Sequence, residues 1–214
     1  MALAPSDLTR LFGDIDIYLF DQLLRGRLTP GMRVLDAGCG SGRNLVYLLH
    51  AGYDVFASDA SAEAIATVQA LAATLAPHLP RTNFRVEPIE AMTWPSGFAD
   101  VVIGSAVLHF AAGDEQFNAM VERMWAVLKP GGVLFCRLAS TIGMEHRVRP
   151  ITGRRHLLPD GSQRYLVDEP LLMDLTARLG GALLDPLKTT VVQDLRSMTT
   201  WVVRKDDERV RLPR

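Results

Sequence analysis

The residue types that could do chemistry gather first in Arg33-Val34-Leu35-Asp36-Ala37-Gly38-Cys39-Gly40-Ser41-Gly42. A strand-like run leads into three glycines at every second position, and a helix-like run from Arg43 to Ala51 follows at once. Glycines here let the backbone turn tightly and leave bare peptide open to a ligand. About twenty residues beyond Gly38, Val55-Phe56-Ala57-Ser58-Asp59 reads as a second strand ending in an acid. A glycine-rich turn after one strand and an acid after the next is the arrangement that holds a nucleoside cofactor. The turn meets the polar tail, and the acid accepts from the ribose hydroxyls. For Asp59 the competing reading is a helix cap, since Ser61 follows it.

Other chemical groups lie further along. Arg43 could hold a cofactor carboxylate or an anionic substrate, or it is a solvated helix residue. Cys39, between two glycines, reads as a small buried neighbour of the ligand rather than a nucleophile. His109 follows the fourth strand and could act as a general base or orient an acceptor; otherwise it is a packed loop histidine. Tyr18, with Asp14 and Asp21 at helical spacing, could form one face of an N-terminal lid, or a packing helix with a solvated acidic face. The segment Glu145 to Arg164 is rich in Arg and His, including Arg154 and Arg155, with few acids. Arginines make planar, bidentate contacts to carboxylate or phosphate. This segment reads as a substrate lid for an anionic or oxygen-rich small molecule, with a solvated loop as the alternative.

The elements that must position these groups alternate. Leu8 to Arg25 reads as a helical segment. Strands follow at Val34–Ala37, Val55–Ser58, Phe84–Val86, Asp100–Ser105 and Val133–Leu138. Helices lie between them: Arg43–Ala51, a long alanine-rich one capped by Ser61, and Asp114–Leu128 with Asp114 as cap. Asp168 caps a helix to Leu179, which Gly180-Gly181 end. Ala182–Gln193 and Ser197–Arg204 are two closing strands whose short link suits an antiparallel hairpin. Alternating strands and helices predict an α/β fold, a doubly wound and largely parallel sheet.

With its antiparallel last strand, the pattern resembles the class I S-adenosylmethionine-dependent methyltransferases. The motifs are VLDAGCGSGRN (Val34–Asn44), SDAS (Ser58–Ser61), VEPIEAMTWP (Val86–Pro95), FADVVIGSAVLHF (Phe98–Phe110) and LKPGGVL (Leu128–Leu134). The resemblance covers roughly Leu8 to Lys205. It implies a Rossmann-like, seven-stranded sheet and S-adenosylmethionine as cofactor, with S-adenosylhomocysteine as product. It places Gly38 and Gly40 against the methionine portion, with Cys39 and Arg43 beside them. Asp36 would orient the glycines and contact the amino group. Asp59, with Ala60 next to it, would bind the ribose, the Ile89 peptide would meet the adenine edge, and the Ser105 carbonyl would lie near the amine. The chain departs from the pattern at Pro88, where many relatives carry an adenine-binding Asp. Either Glu87 or Glu90 replaces it, or that bond is missing. A narrower likeness, in GRNLVYLLHAGYDVFASDAS and RSMTTWVVRK, is to tellurite-resistance-type methyltransferases and their small-molecule relatives.

The 214 residues, 48% of them hydrophobic, suit one domain, 1–214. Within it, 1–30 is expected as a helical lid segment and 139–167 as a basic substrate-lid insertion. A net charge of −1 gives no global field toward nucleic acid or an anionic membrane. Neither a signal peptide nor a membrane-spanning run is read, and two cysteines make no disulfide framework, so a cytoplasmic protein is expected. No His/Cys cluster has zinc spacing, and no metal is expected. The expected partner is a small molecule, and the chain is read as a monomer or homodimer. The rival functions are a nicotinamide-dependent oxidoreductase and a non-catalytic S-adenosylmethionine-binding protein. The oxidoreductase is disfavoured because Arg43 stands where the third fingerprint glycine would be.

Overall fold

The computed structural model describes residues 5–206. The chain runs α1 (Pro5–Phe12), α2 (Ile17–Leu24), β1 (Arg33–Ala37), α3 (Val46–His50), β2 (Asp54–Asp59), α4 (Ala62–Leu75), β3 (Phe84–Val86), β4 (Ala99–Ser105), α5 (Asp114–Val127) and β5 (Leu128–Ala139). It continues with β6 (Arg149–Thr152), β7 (Arg155–Leu157), β8 (Gln163–Tyr165), α6 (Glu169–Arg178), β9 (Gly181–Leu183), β10 (Lys188–Val192) and β11 (Arg196–Lys205). The main sheet has the order β10-β11-β5-β4-β1-β2-β3, with β9 also paired to β11. The pairs among β1 to β5 are parallel, while β11 is antiparallel to its partners β5, β9 and β10. The doubly wound, mostly parallel sheet read from the sequence is therefore observed, with eight strands rather than seven.

Both faces of the sheet are covered, which is why β1 is buried from Val34 to Ala37 and β4 carries the apolar run Val101–Gly104. One core packs Leu35, Val102, Leu134 and Trp201 against Phe117 and Met124 of α5 and Leu172 of α6. The other packs Val34, Val101 and Phe135 against Leu19, Leu48 and Val68 from α2, α3 and α4. Strand order reverses between β1 and β4, so the β1 turn and the end of β4 open a crevice at the topological switch point. None of the described helices is long and apolar enough to cross a membrane.

Four local expectations are corrected. The single helix over Leu8–Arg25 is two helices, because Gly13 turns with φ +60° and Asp16 starts α2 afresh as its cap. The helix after the glycine turn is shorter than Arg43–Ala51, since residues 43–45 remain in the turn. The strand read over Ala182–Gln193 is β9 and β10, parted at Asp185-Pro186. Proline lacks a ladder donor, and the buried Asp185 carboxylate accepts from Arg27 and Gln22 instead. Asp114 does not cap α5: Gly113 holds the cap position with no side-chain bond, and Asp114 accepts from the Tyr165 hydroxyl at 2.7 Å. Ser61 and Asp168 do cap α4 and α6, accepting from Ala64 and Leu171 N–H groups.

The basic stretch between β5 and α6 is no simple loop. It folds as a separate antiparallel sheet, β6-β7-β8. Tyr165 stacks on Phe117 at 4.4 Å and Arg154 pairs with Asp168 at 3.0 Å, fastening this sheet to the body.

Candidate functional site

The β1 turn is built on left-handed glycines. Gly38, Gly40 and Gly42 have φ of +77°, +52° and +77°, conformations that cost an L side chain roughly 1–2 kcal/mol. The N–H groups of Gly38 and Cys39 both donate to the Ser58 carbonyl. A Cβ on Gly38 would collide with Val107, whereas over Gly40 the space is open. Asp59 lies at the end of β2. Its Oδ2 accepts from Gly40 N–H and its Oδ1 from Ser61 N–H, each at 2.9 Å. A carboxylate offers about four lone-pair sites, so this acid braces the glycine turn and retains acceptor capacity on both oxygens. Ala60 beside it is exposed.

Asp36 is buried at the base of the same turn, and its Oδ2 has no partner. Burial pushes its carboxyl up to about 7, opposed by the Arg43 charge and aided by Asp59. A buried acid with an open oxygen under a glycine turn suits a cationic group such as an ammonium. Burial raises the Cys39 thiol far above its usual range, which keeps it from being a nucleophile. Ile89 is buried in a short 3-10 turn, Ile89–Ala91, beyond β3. Around it, Glu90 accepts from Gln116 at 2.7 Å and Glu87 accepts from Thr93. Both carboxylates that could replace the acid absent at Pro88 are thus engaged with protein groups.

Sequence reading missed the polar hub that joins the N-terminal helices to this turn. The Asp16 side chain is wholly buried. One oxygen caps α2 through Tyr18 N–H; the other accepts from Arg137 at 2.8 Å and Ser105 Oγ at 3.4 Å and lies 3.6 Å from Arg43. Arg43 also donates to Ser105 Oγ at 3.1 Å, and Asn44 accepts from the Asp16 N–H. Tyr18 lies beside the hub: Arg137 sits over its ring at 5.5 Å, and its hydroxyl shares a hydrogen bond with Thr190. A signal was present in the charged Arg137 inside the otherwise apolar FCRLA of β5. Its partner was hidden in the alternating DIDIY stretch.

Beyond the hub opens a cavity of about 320 Å³, between the ends of β4 and β5, the β10–β11 hairpin and the small sheet. Its charged walls are Arg43, Arg137, Arg164 and Arg196, with Asp160 as the acid. Ala106, a lining residue, has φ +60°, a strained conformation outside glycine. His109 lines the cavity too, is 7% exposed, and has no partner for Nδ1. Burial, helped by Arg164, lowers its imidazole to about 4, so the ring is neutral at ordinary pH.

Arg154 and Arg155, read from sequence as substrate residues, do not line this cavity. Arg154 binds Asp168, and Arg155 donates to the Ala111 carbonyl and Gln163. The cavity arginines of the same region are Arg164 and, from the hairpin, Arg196. Strand alternation decides which arginine of a short sheet turns inward, and the register of β6 to β8 is not legible from composition.

Comparisons with known proteins agree with this geometry. Residues 34–132 match the family described as a methyltransferase domain. An uncharacterized methyltransferase of Synechocystis, sll0829, is 30% identical over 106 residues, which is 50% of this chain and 46% of that protein. A ubiquinone biosynthesis O-methyltransferase of Chelativorans is 28% identical over 144 residues, 63% of this chain and 52% of that protein. This chain therefore spans about half the length of these curated relatives. Among solved structures, the 1,6-didemethyltoxoflavin-N1-methyltransferase of Burkholderia thailandensis, with bound S-adenosylhomocysteine, superposes with a TM-score of 0.66 at 19% identity, covering 88% of this chain and 76% of that one. The matched segment, just under half of the chain, is similar to a methyltransferase domain. The chain as a whole has the Rossmann-like fold of the solved S-adenosylmethionine-dependent methyltransferases.

Proposed function

We propose that this chain binds S-adenosylmethionine at the Gly38–Gly42 turn and methylates a small molecule held in the adjoining cavity. The observation that carries the reading is one residue shared by two places: Arg43 leaves the glycine turn and also lines the cavity. In this reading Asp59 accepts from the ribose hydroxyls and the open Asp36 oxygen faces the ammonium of the methionine portion. The bound cofactor would supply an activated methyl group, so no nucleophilic side chain is needed. The protein's contribution is to align the acceptor and exclude water. The bound S-adenosylhomocysteine of the Burkholderia enzyme and the O-methyltransferase name of the Chelativorans relative support it. We further infer that the two N-terminal helices and the β6-β7-β8 sheet are the covers of the site.

The test is turnover against a panel of small acceptors, read as S-adenosylhomocysteine release. Product formation that requires both acceptor and Asp59 is expected. Tight cofactor binding with no turnover on any acceptor would favour a non-catalytic binding protein.

A further inference from the structure

The four cavity arginines differ in what they are free to do. Arg43 and Arg137 are engaged with Asp16. Arg164 and Arg196 have no carboxylate within ion-pair distance among the described residues; their charges reach Asp160 only at longer range, where they help hold its carboxyl below the usual value. Arg164 is held by its side chain, whereas the exposed Arg196 is placed by its backbone alone. Arg164 donates to the Gln163 carbonyl at 2.7 Å, and its guanidinium lies 4.8 Å from the centre of the Phe110 ring. Arg196 begins β11 opposite Val192, after a three-residue turn, 193–195, in which Gln193 has φ +49° and Asp194 φ +52°. Turns of this kind ordinarily use Asn and Gly. This one is braced by an Arg147–Asp194 ion pair at 3.3 Å, which links the hairpin tip to the small-sheet insertion.

A neutral group lines the same cavity. His109 is more than nine-tenths buried on the same cavity, with an unpartnered ring nitrogen. A neutral imidazole both donates and accepts, which suits a hydroxyl. Leu158, Val192, Met198 and Ala139 supply an apolar wall. The volume, about 320 Å³, is at the small end for ligand sites.

Resting on the proposed methyltransferase function, we propose that the acceptor is a small hydroxylated organic acid. Its carboxylate is held by Arg164 and Arg196, its hydroxyl meets His109, and its carbon skeleton lies on the apolar wall. Planar guanidinium groups match a carboxylate in two-point geometry.

The test is calorimetric titration of protein saturated with S-adenosylhomocysteine. The probes are hydroxybenzoates and short hydroxy acids, each beside its primary amide, its deoxy analogue and a hydroxyl-bearing phosphomonoester. At least one acid is expected to bind about tenfold or more tightly than its amide. That preference should vanish in Arg164→Gln/Arg196→Gln and persist in Arg149→Gln, a control at an exposed β6 arginine that does not line the cavity. The gain from the hydroxyl over the deoxy analogue should be lost in His109→Gln. Amides equal to acids, no acid bound at about 10 mM, stronger phosphomonoester binding, or a preference unchanged in the double variant would each overturn the proposal. Failure of S-adenosylhomocysteine to bind would instead bring down the underlying functional reading.

Discussion

Removing the Asp16 carboxylate should unlock the N-terminal helices from the site, at a cost that follows from its contacts. Asp16→Ala deletes the α2 cap to Tyr18, a loss of about 1 kcal/mol. It also strips Arg137 of its 2.8 Å partner. Breaking a fully buried pair costs about 3–5 kcal/mol. Here Arg137 is 20% exposed and opens on a cavity, which reduces that term to about 2 kcal/mol by partial hydration. The sum is about 3 kcal/mol, and for a domain of this size each kcal/mol moves the melting temperature by roughly 2–4 °C, so a fall of about 6–12 °C is expected. Asp16→Asn keeps a good cap and loses only the charge, so its fall should be about two-thirds as large. Differential scanning calorimetry of the three proteins measures both. A fall below about 2 °C in Asp16→Ala would refute the hub's structural role. An Asn variant as unstable as the Ala variant would refute the division between cap and charge.

Three further outcomes are expected. Gly38→Ala places a methyl group against Val107 on a left-handed backbone; it should lower the melting temperature and abolish S-adenosylhomocysteine binding, and normal binding would show the turn to be more compliant than its geometry implies. The Asp36 carboxyl stands at about 7, above its ordinary 3.8. The folded state therefore holds this proton longer than the unfolded chain, and stability is lost as pH rises from about 4 to 7. Asp36→Asn should flatten that slope in denaturant titrations; in the wild type, an ammonium ligand at Asp36 should release protons near pH 6–7, seen by calorimetry in buffers of different ionisation enthalpy. For His109, whose value falls from 6.5 to about 4, the sign is opposite. Stability is lost as pH drops through that window, and His109→Gln should remove this loss; an unchanged slope would contradict its neutral burial.

Much of this architecture was legible because its signals are local. Three glycines at alternate positions fix a turn that few other sequences can make. Apolar runs such as Asp100–Ser105 announce a strand covered on both faces, and Ser61 and Asp168 cap helices by chemistry within three residues. The cofactor-turn candidates Asp36, Gly38 and Asp59 came together for the same reason, since the strand–turn–helix unit carries them within about one crossover. What stayed hidden depends on long-range register. Arg137 and Arg196 occupy the cavity through strand pairing across the sheet and a hairpin turn. Arg155 pairs with Tyr165 and so lies on the opposite face of the small sheet from Arg164, which pairs with His156, while Arg154 sits in the β6–β7 turn. The Asp16 hub joins residues up to 121 positions apart, and no periodicity in the chain reports such a contact.

The most direct test of the central claim is calorimetric titration of the purified protein with S-adenosylmethionine, S-adenosylhomocysteine and NADH, with Asp59→Ala as control. Asp59 braces Gly40 and Ser61 and has lone pairs left for two ribose hydroxyls. Losing its charged hydrogen bonds should cost about 1.5–3 kcal/mol, a weakening of at least about tenfold. Micromolar binding of the first two ligands, weakened to that degree in Asp59→Ala, is the predicted result. Binding of NADH alone, or cofactor binding indifferent to Asp59, would contradict it.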